Sequence, residues 1–164
     1  MKYAIVYSSK TGNTAMLANA IALALPAENC VYDGTATQQI PDADLIFAGF
    51  WTDKGTCDDA FANFLKGLQN KQIFLFGTAG FGGSEEYFAQ ILSRVKANVS
   101  ESNMLVGNFM CQGKMPLGVR QRYEAMLPQD PVKMQQLIDN FDRALAHPNT
   151  ADLQDLQQKV TRYC

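Results

Sequence analysis

The sequence predicts an α/β protein, a three-layer sandwich in which helices cover both faces of a five-stranded parallel sheet, with extra helices at the C-terminal end. Three observations lead there. Short, almost unbroken apolar runs recur along the chain, as strands buried on both faces require. The first gives way within a few residues to apolar residues at helical spacing, and the same alternation then repeats. The connections between runs are short, so successive strands are joined through right-handed crossover units and lie parallel.

Residues 3–7 are the first strand, and Met16, Leu17, Ala20, Ile21 and Leu25 mark the first helix, which Pro26 stops. A second strand over 29–32 runs out at Asp33-Gly34, a turn signal. The ten-residue connection beyond it contains Pro41, so any helix there is a single turn or absent. Residues 45–50 are the most apolar strand and belong in the centre of the sheet. Thr56 is placed to cap the next helix, with Asp59 at the capping-box position and Phe61, Phe64, Leu65 and Leu68 as the buried stripe. A strand over 73–76 ends in a glycine-rich run. Ser84 then caps a helix that has Glu85 and Glu86 in its first turn and presents Phe88, Ile91, Leu92 and Val95 to the sheet. The fifth strand covers 104–111. Beyond it come a helix over 119–127 and a stronger one opened by Asp130-Pro131, with Met134, Leu137, Ile138, Phe141 and Leu145 in register. A last helix from Thr150 carries Leu153, Leu156, Val160 and Tyr163, a narrow stripe that suits an edge or a dimer contact.

With 164 residues, the chain is one domain's worth and buries about 70% of its unfolded surface. A net charge of −2 supplies no basic field for nucleic acid. Cys30, Cys57, Cys111 and Cys164 include no C-x-x-C pair, so they read as reduced thiols rather than zinc or thioredoxin-type ligands. The N-terminal apolar run breaks at Ser8, too early for a signal peptide or a membrane span, and a cytoplasmic protein with no membrane partner is expected. His147, the sole histidine, stands beside Pro148 at a helix end, where its charge would complement the helix dipole.

Between the first strand and its helix stand Ser8, Ser9, Lys10, Thr11, Gly12, Asn13 and Thr14. Hydroxyls, an amide and a glycine fall where the free N–H groups of a helix N-terminus favour an anion, each such contact being worth about 0.3–1 kcal/mol. An ordinary polar loop with a threonine cap accounts for the same residues. No Walker A and no G-x-G-x-x-G is present. The stretch Ser9-Lys10-Thr11-Gly12-Asn13-Thr14 resembles the phosphate loop of the flavodoxins, [ST]-x-T-G-x-T directly after the first strand.

That resemblance covers residues 1 to about 111. It implies a flavodoxin-like sheet of order 2-1-3-4-5, with flavin mononucleotide (FMN) bound at the carboxyl ends of the strands where the order reverses. Two further loops then hold the ring. One is Phe50, Trp51, Thr52, Asp53, Lys54 and Gly55; the other includes Thr78, Ala79, Gly80, Phe81, Gly82 and Gly83. Trp51 is read as stacking on the flavin, and Gly55 as the turn glycine whose carbonyl meets the flavin N5–H. Phe81 either stacks or pins a flexible loop. Gln112, Gly113 and Lys114 close the fifth strand on the same rim, where they touch the flavin or an acceptor, or simply form a loop. Cys57 reads as a plain helix-start residue, although a helix N-terminus would lower its pKa. Asp53, Asp58, Asp59, Glu85 and Glu86 flank the ring loops and should disfavour the added negative charge of reduced flavin, Asp53 most of all.

The phrases GFWTDKGTCDD, FGTAGFGGSEEYF and FMCQGKMP are similar to a subgroup of small bacterial flavodoxin-like proteins, some associated with reductases of tetrapyrroles such as bilirubin. The implied function is an electron carrier, monomer or homodimer, serving a redox partner protein; the absence of an acid–base dyad suits it. An NAD(P)H-dependent quinone or small-molecule oxidoreductase of the same fold is the alternative. Other proteins of similar architecture fit poorly. A receiver domain needs paired acids where Ser8 and Ser9 stand, and a low-molecular-weight phosphatase needs C-x5-R, which no cysteine here satisfies.

Overall fold

A computed structural model describes residues 1–37, 39–82 and 84–164, so Gly83 of the expected third loop lies outside the described residues. Strands β1 (Tyr3–Tyr7), β2 (Cys30–Thr35), β3 (Leu45–Trp51), β4 (Gln72–Ala79) and β5 (Met104–Gln112) form one parallel sheet of order β2-β1-β3-β4-β5, the order expected. Among the described residues six α-helices accompany it: α1 (Asn13–Ala24), α2 (Asp59–Gly67), α3 (Glu85–Lys96), α4 (Leu117–Met126), α5 (Pro131–Ala144) and α6 (Thr150–Val160).

The alternation of side chains along each strand divides the apolar residues between two layers. Ala4 and Val6, Ile46 and Ala48, and Ile73 and Leu75 face α2 and α3, together with Phe61, Leu65, Ile91 and Val95. Tyr3 and Ile5, Leu45 and Phe47, and Phe74 and Phe76 face Leu17 and Ile21 of α1 and Leu156 and Val160 of α6. The narrow stripe of α6 is therefore spent within the chain, packed on α1, rather than left for a dimer. α5 buries Met134, Ile138, Phe141 and Ala144, whereas α4 buries no residue.

Several boundaries differ from expectation, each for a tertiary reason. β2 runs through Asp33 and Gly34 because they pair with Ile5 and Val6 of β1, and the ladder overrides the local turn preference. β3 and β4 extend to Trp51 and Ala79 because Trp51 pairs with Thr78, and Thr78 and Ala79 pair with Cys111 and Gln112. Among the described residues of the 36–44 connection there is no helix. The cap of α2 is Asp58, which accepts from the Phe61 N–H at 2.8 Å; Thr56 instead pairs across a turn with Asp53.

Candidate functional site

The carboxyl ends of the strands open on a cavity of about 510 Å³, within the range of a small-molecule site. Four segments line it. Lys10, Thr11 and Asn13 come from the loop before α1, Trp51 and Thr52 from the end of β3, and Thr78, Ala79 and Gly80 from the end of β4. The fourth segment, Gly113, Lys114, Met115, Pro116, Gly118, Val119 and Arg122, leads from β5 into α4. Ser8, Ser9, Gly12, Thr14, Phe50, Asp53, Lys54, Gly55, Phe81 and Gly82 are not among the lining residues.

The reasons lie in their partners. Gly12 precedes α1 at φ +89, a conformation that favours glycine, and opens the chain into the helix. Ser9 Oγ is turned back to accept the Ala15 N–H at 3.3 Å. Thr14 is fully buried; its hydroxyl donates to the Phe50 carbonyl at 3.1 Å and lies 3.3 Å from Thr78 Oγ1, so it fastens α1 to β3 and β4 rather than facing a phosphate. That leaves the hydroxyl of Thr11, the N–H groups of Asn13 and Thr14 at the start of α1, which have no intrahelical partner, and the Lys10 ammonium. Asn13 Nδ2 donates to Thr11 Oγ1 at 3.0 Å and to the Lys114 carbonyl at 2.8 Å. Its Oδ1 is buried without a partner among the described residues.

Trp51 is half-buried and held at its edge. Its Nε1–H donates to Asp58 Oδ2 at 2.9 Å, the same oxygen accepts from Ser8 Oγ at 2.7 Å, and the other oxygen caps α2. One carboxylate thus ties together the loop before α1, the end of β3 and a helix start. Lys10 Nζ stands 5.2 Å from the centre of the Trp51 ring, a cation–π contact. Thr52 is anchored to the Thr78 carbonyl through both its N–H and its hydroxyl, at 3.0 and 2.8 Å.

Two residues of this loop have partners elsewhere. Phe50 points into the core, its ring 5.9 Å from that of Phe61. The turn at Lys54 and Gly55, with φ of 52 and 86, carries the Gly55 carbonyl away to Arg94 Nη1, which donates to it at 3.1 Å. That carbonyl is occupied on the α3 side and does not line the cavity. Phe81 is partly exposed, and a Cβ on Gly82 would come 3.2 Å from Gln112 and Phe88. Cys57 is buried ahead of the cap and outside the helix, and burial pushes its thiol up rather than down.

The fourth wall went largely unread in the sequence. Gly113 N–H donates to the Ala79 carbonyl at 2.9 Å and Lys114 N–H to the His147 carbonyl at 3.0 Å. Gln112 Nε2 and Asn140 Nδ2 both donate to the Gly80 carbonyl, at 3.0 and 3.1 Å, and Gln112 also donates to Asn140 Oδ1. The C-terminal helices therefore hold this wall against β4. His147 itself is committed to Asp152, Nδ1 to Oδ2 at 2.7 Å, in the capping box of α6. Met115, Pro116, Gly118, Val119 and Arg122 are the lining residues that sequence reasoning missed; the only local signal was the glycine- and proline-flanked Lys114 just past β5. Charge is reversed as well. Among the described residues Lys10, Lys114 and Arg122 line the cavity, and no carboxylate does. Among the described residues no cluster of His, Cys, Asp and Glu could hold a metal ion.

A family model for the flavodoxin domain matches residues 4–161. The chain belongs to the flavodoxin family. This flavodoxin is 39% identical to the flavodoxin-like domain-containing protein BilS of Clostridium symbiosum, over 96% of this chain and 93% of that protein. It is 31% identical to BilS of Clostridioides difficile, with 93% and 90% covered. Among solved structures it is similar in fold to oxidised flavodoxin 2 of Bacillus cereus, with a TM-score of 0.58, 16% identity, and 97% and 94% of the two chains covered. FMN is the family's cofactor, and the site's chemistry fits it. A helix N-terminus with a hydroxyl and an ammonium suits a phosphate, and an indole face beside strand-end backbone suits a planar ring. No described helix is long and apolar enough to cross a membrane.

Proposed function

We propose that this protein is a cytoplasmic electron carrier that delivers electrons from bound FMN to a partner reductase acting on tetrapyrroles. The observation that carries the reading is the composition of the cavity wall. It has a cradle for a phosphorylated planar cofactor, yet no histidine and no carboxylate among its lining residues to act as acid or base. The flavin supplies the redox chemistry; the chain supplies binding, orientation and charge. Thr11, Lys10 and the first N–H groups of α1 hold the phosphate. Trp51 stacks on the ring, Thr52 with residues 78–80 meets its polar edge, and Gln112 and Asn140 set the Gly80 peptide from behind. The strand-end phrases quoted above support a tetrapyrrole reductase as partner, and the kinship with the two BilS proteins supports a flavodoxin-like role.

Purified protein is expected to be yellow and to prefer FMN to riboflavin. Thr11→Ala should weaken FMN by about 1–2 kcal/mol through loss of a hydroxyl donated to a charged acceptor, and leave riboflavin unchanged. Isothermal titration with both flavins reads this directly, and equal affinity for the two would remove the cradle. Steady turnover of NADPH with a quinone, without an added reductase, would move the assignment from carrier to enzyme.

A further inference from the structure

We propose that Lys114 and Arg122, the cations of the wall contributed by the segment after β5, bias this site toward reduced FMN, so that the C-terminal third of the chain sets the flavin's potential. The inference rests on the FMN reading. In a chain of net charge −2, the lining residues include three cations and no acid. Among the described residues Lys10, Lys114 and Arg122 enter no ion pair, whereas the neighbouring Arg120 of α4 is taken by Glu124 and Asp142. The acids expected to dominate do not line the cavity, and Asp58 is already satisfied by Ser8, Trp51 and the Phe61 N–H.

Lys114 is also built in. Its N–H is bonded to the His147 carbonyl, and its carbonyl accepts from buried Asn13. Gly113 beside it lets the backbone approach so closely that a Cβ there would lie 2.5 Å from Asn13 Nδ2. The lysine therefore leaves a pinned backbone at the cavity wall. Arg122 follows in the second turn of α4, which packs on α5.

Full reduction of the ring takes two electrons and, near neutral pH, one proton, leaving one net negative charge. Fixed cations favour that state over the oxidised one. By linkage, the factor by which they tighten reduced over oxidised flavin is the factor by which they favour reduction. At an effective dielectric near 20, one charge about 8–10 Å away, discounted for solvent exposure, changes that factor by about three- to tenfold. Lys10 lies with the phosphate loop and over Trp51, so it is left out of the test.

The test titrates apoprotein anaerobically with oxidised FMN and with dithionite-reduced FMN, in wild type, Lys114→Gln, Arg122→Gln and the double variant. The ratio of the two dissociation constants is expected to shift about three- to tenfold toward oxidised flavin for each cation removed. The shift should grow in the double variant, shrink in high salt, and be restored by Arg122→Lys. Equal losses for both flavins would make these residues simple phosphate clamps and overturn the inference. So would an unmoved ratio in protein that binds FMN, leaving the FMN reading intact. Wild type that binds no FMN overturns the reading and the inference together.

Discussion

Asp58→Ala should lower the free energy of unfolding by about 2–4 kcal/mol and loosen the flavin site with it. The change strips a charged acceptor from the Trp51 Nε1–H and the Ser8 hydroxyl, each such bond being worth about 1.5–3 kcal/mol, and uncaps α2 at about 0.5–2 kcal/mol more. The sum is discounted because the three losses share one side chain and the site is only half-buried. Urea denaturation gives the stability, and the single tryptophan gives the site. In wild type, FMN should quench the Trp51 emission strongly; in Asp58→Ala the quench should be shallower at the same occupancy, because the indole is no longer held at its edge. Unchanged emission on FMN binding would take Trp51 off the ring. An unchanged urea midpoint would show that the carboxylate joins nothing of consequence.

Gly49→Ala and Gly77→Ala should each cost about 2–3 kcal/mol, a result that tests the sheet beneath the site. β3 and β4 pair Gly49 with Phe76 and Phe50 with Gly77, so on each face one strand's ring lies over the other's glycine. A Cβ on Gly49 would meet the Phe76 ring at 2.3 Å, and one on Gly77 the Phe50 ring at 2.4 Å. Both rings are fully buried and cannot swing aside without displacing the core, which is the costly kind of overpacking. Thermal unfolding of the two variants is the measurement. Near-native midpoints would mean that the rings move freely, contrary to a close-packed interior.

How much of this was legible follows from how far apart the interacting residues lie along the chain. The strands and helices were readable because burial on both faces and helical periodicity are written within a few residues of each other. The threonine, glycine and asparagine of the first loop were readable for the same reason. Roles that depend on distant partners were not. Thr14 and Gly55 both fell in the right loops, yet Thr14 is spent on the Phe50 carbonyl and the Gly55 carbonyl on Arg94. Asp58 read as one of several acids near a helix start. Its bond to Ser8 spans 50 positions, and nothing local announces it.

The sequence by itself determined the layers and the glycine turn that opens α1, because apolar periodicity and short connections leave few alternatives, while the strand order followed from the resemblance to the flavodoxins. Only the tertiary structure decided the sign of the charge around the cavity. Lys114 and Arg122 reach it because the Asn13 amide, the His147 carbonyl and the Gln112–Asn140 pair draw the segment after β5 onto the end of the sheet. The acids counted in the sequence stay at helix starts and turns, out of the cavity wall. Net charge is a sum over the whole chain, whereas a cofactor feels the few groups that the fold brings within a few ångströms of it.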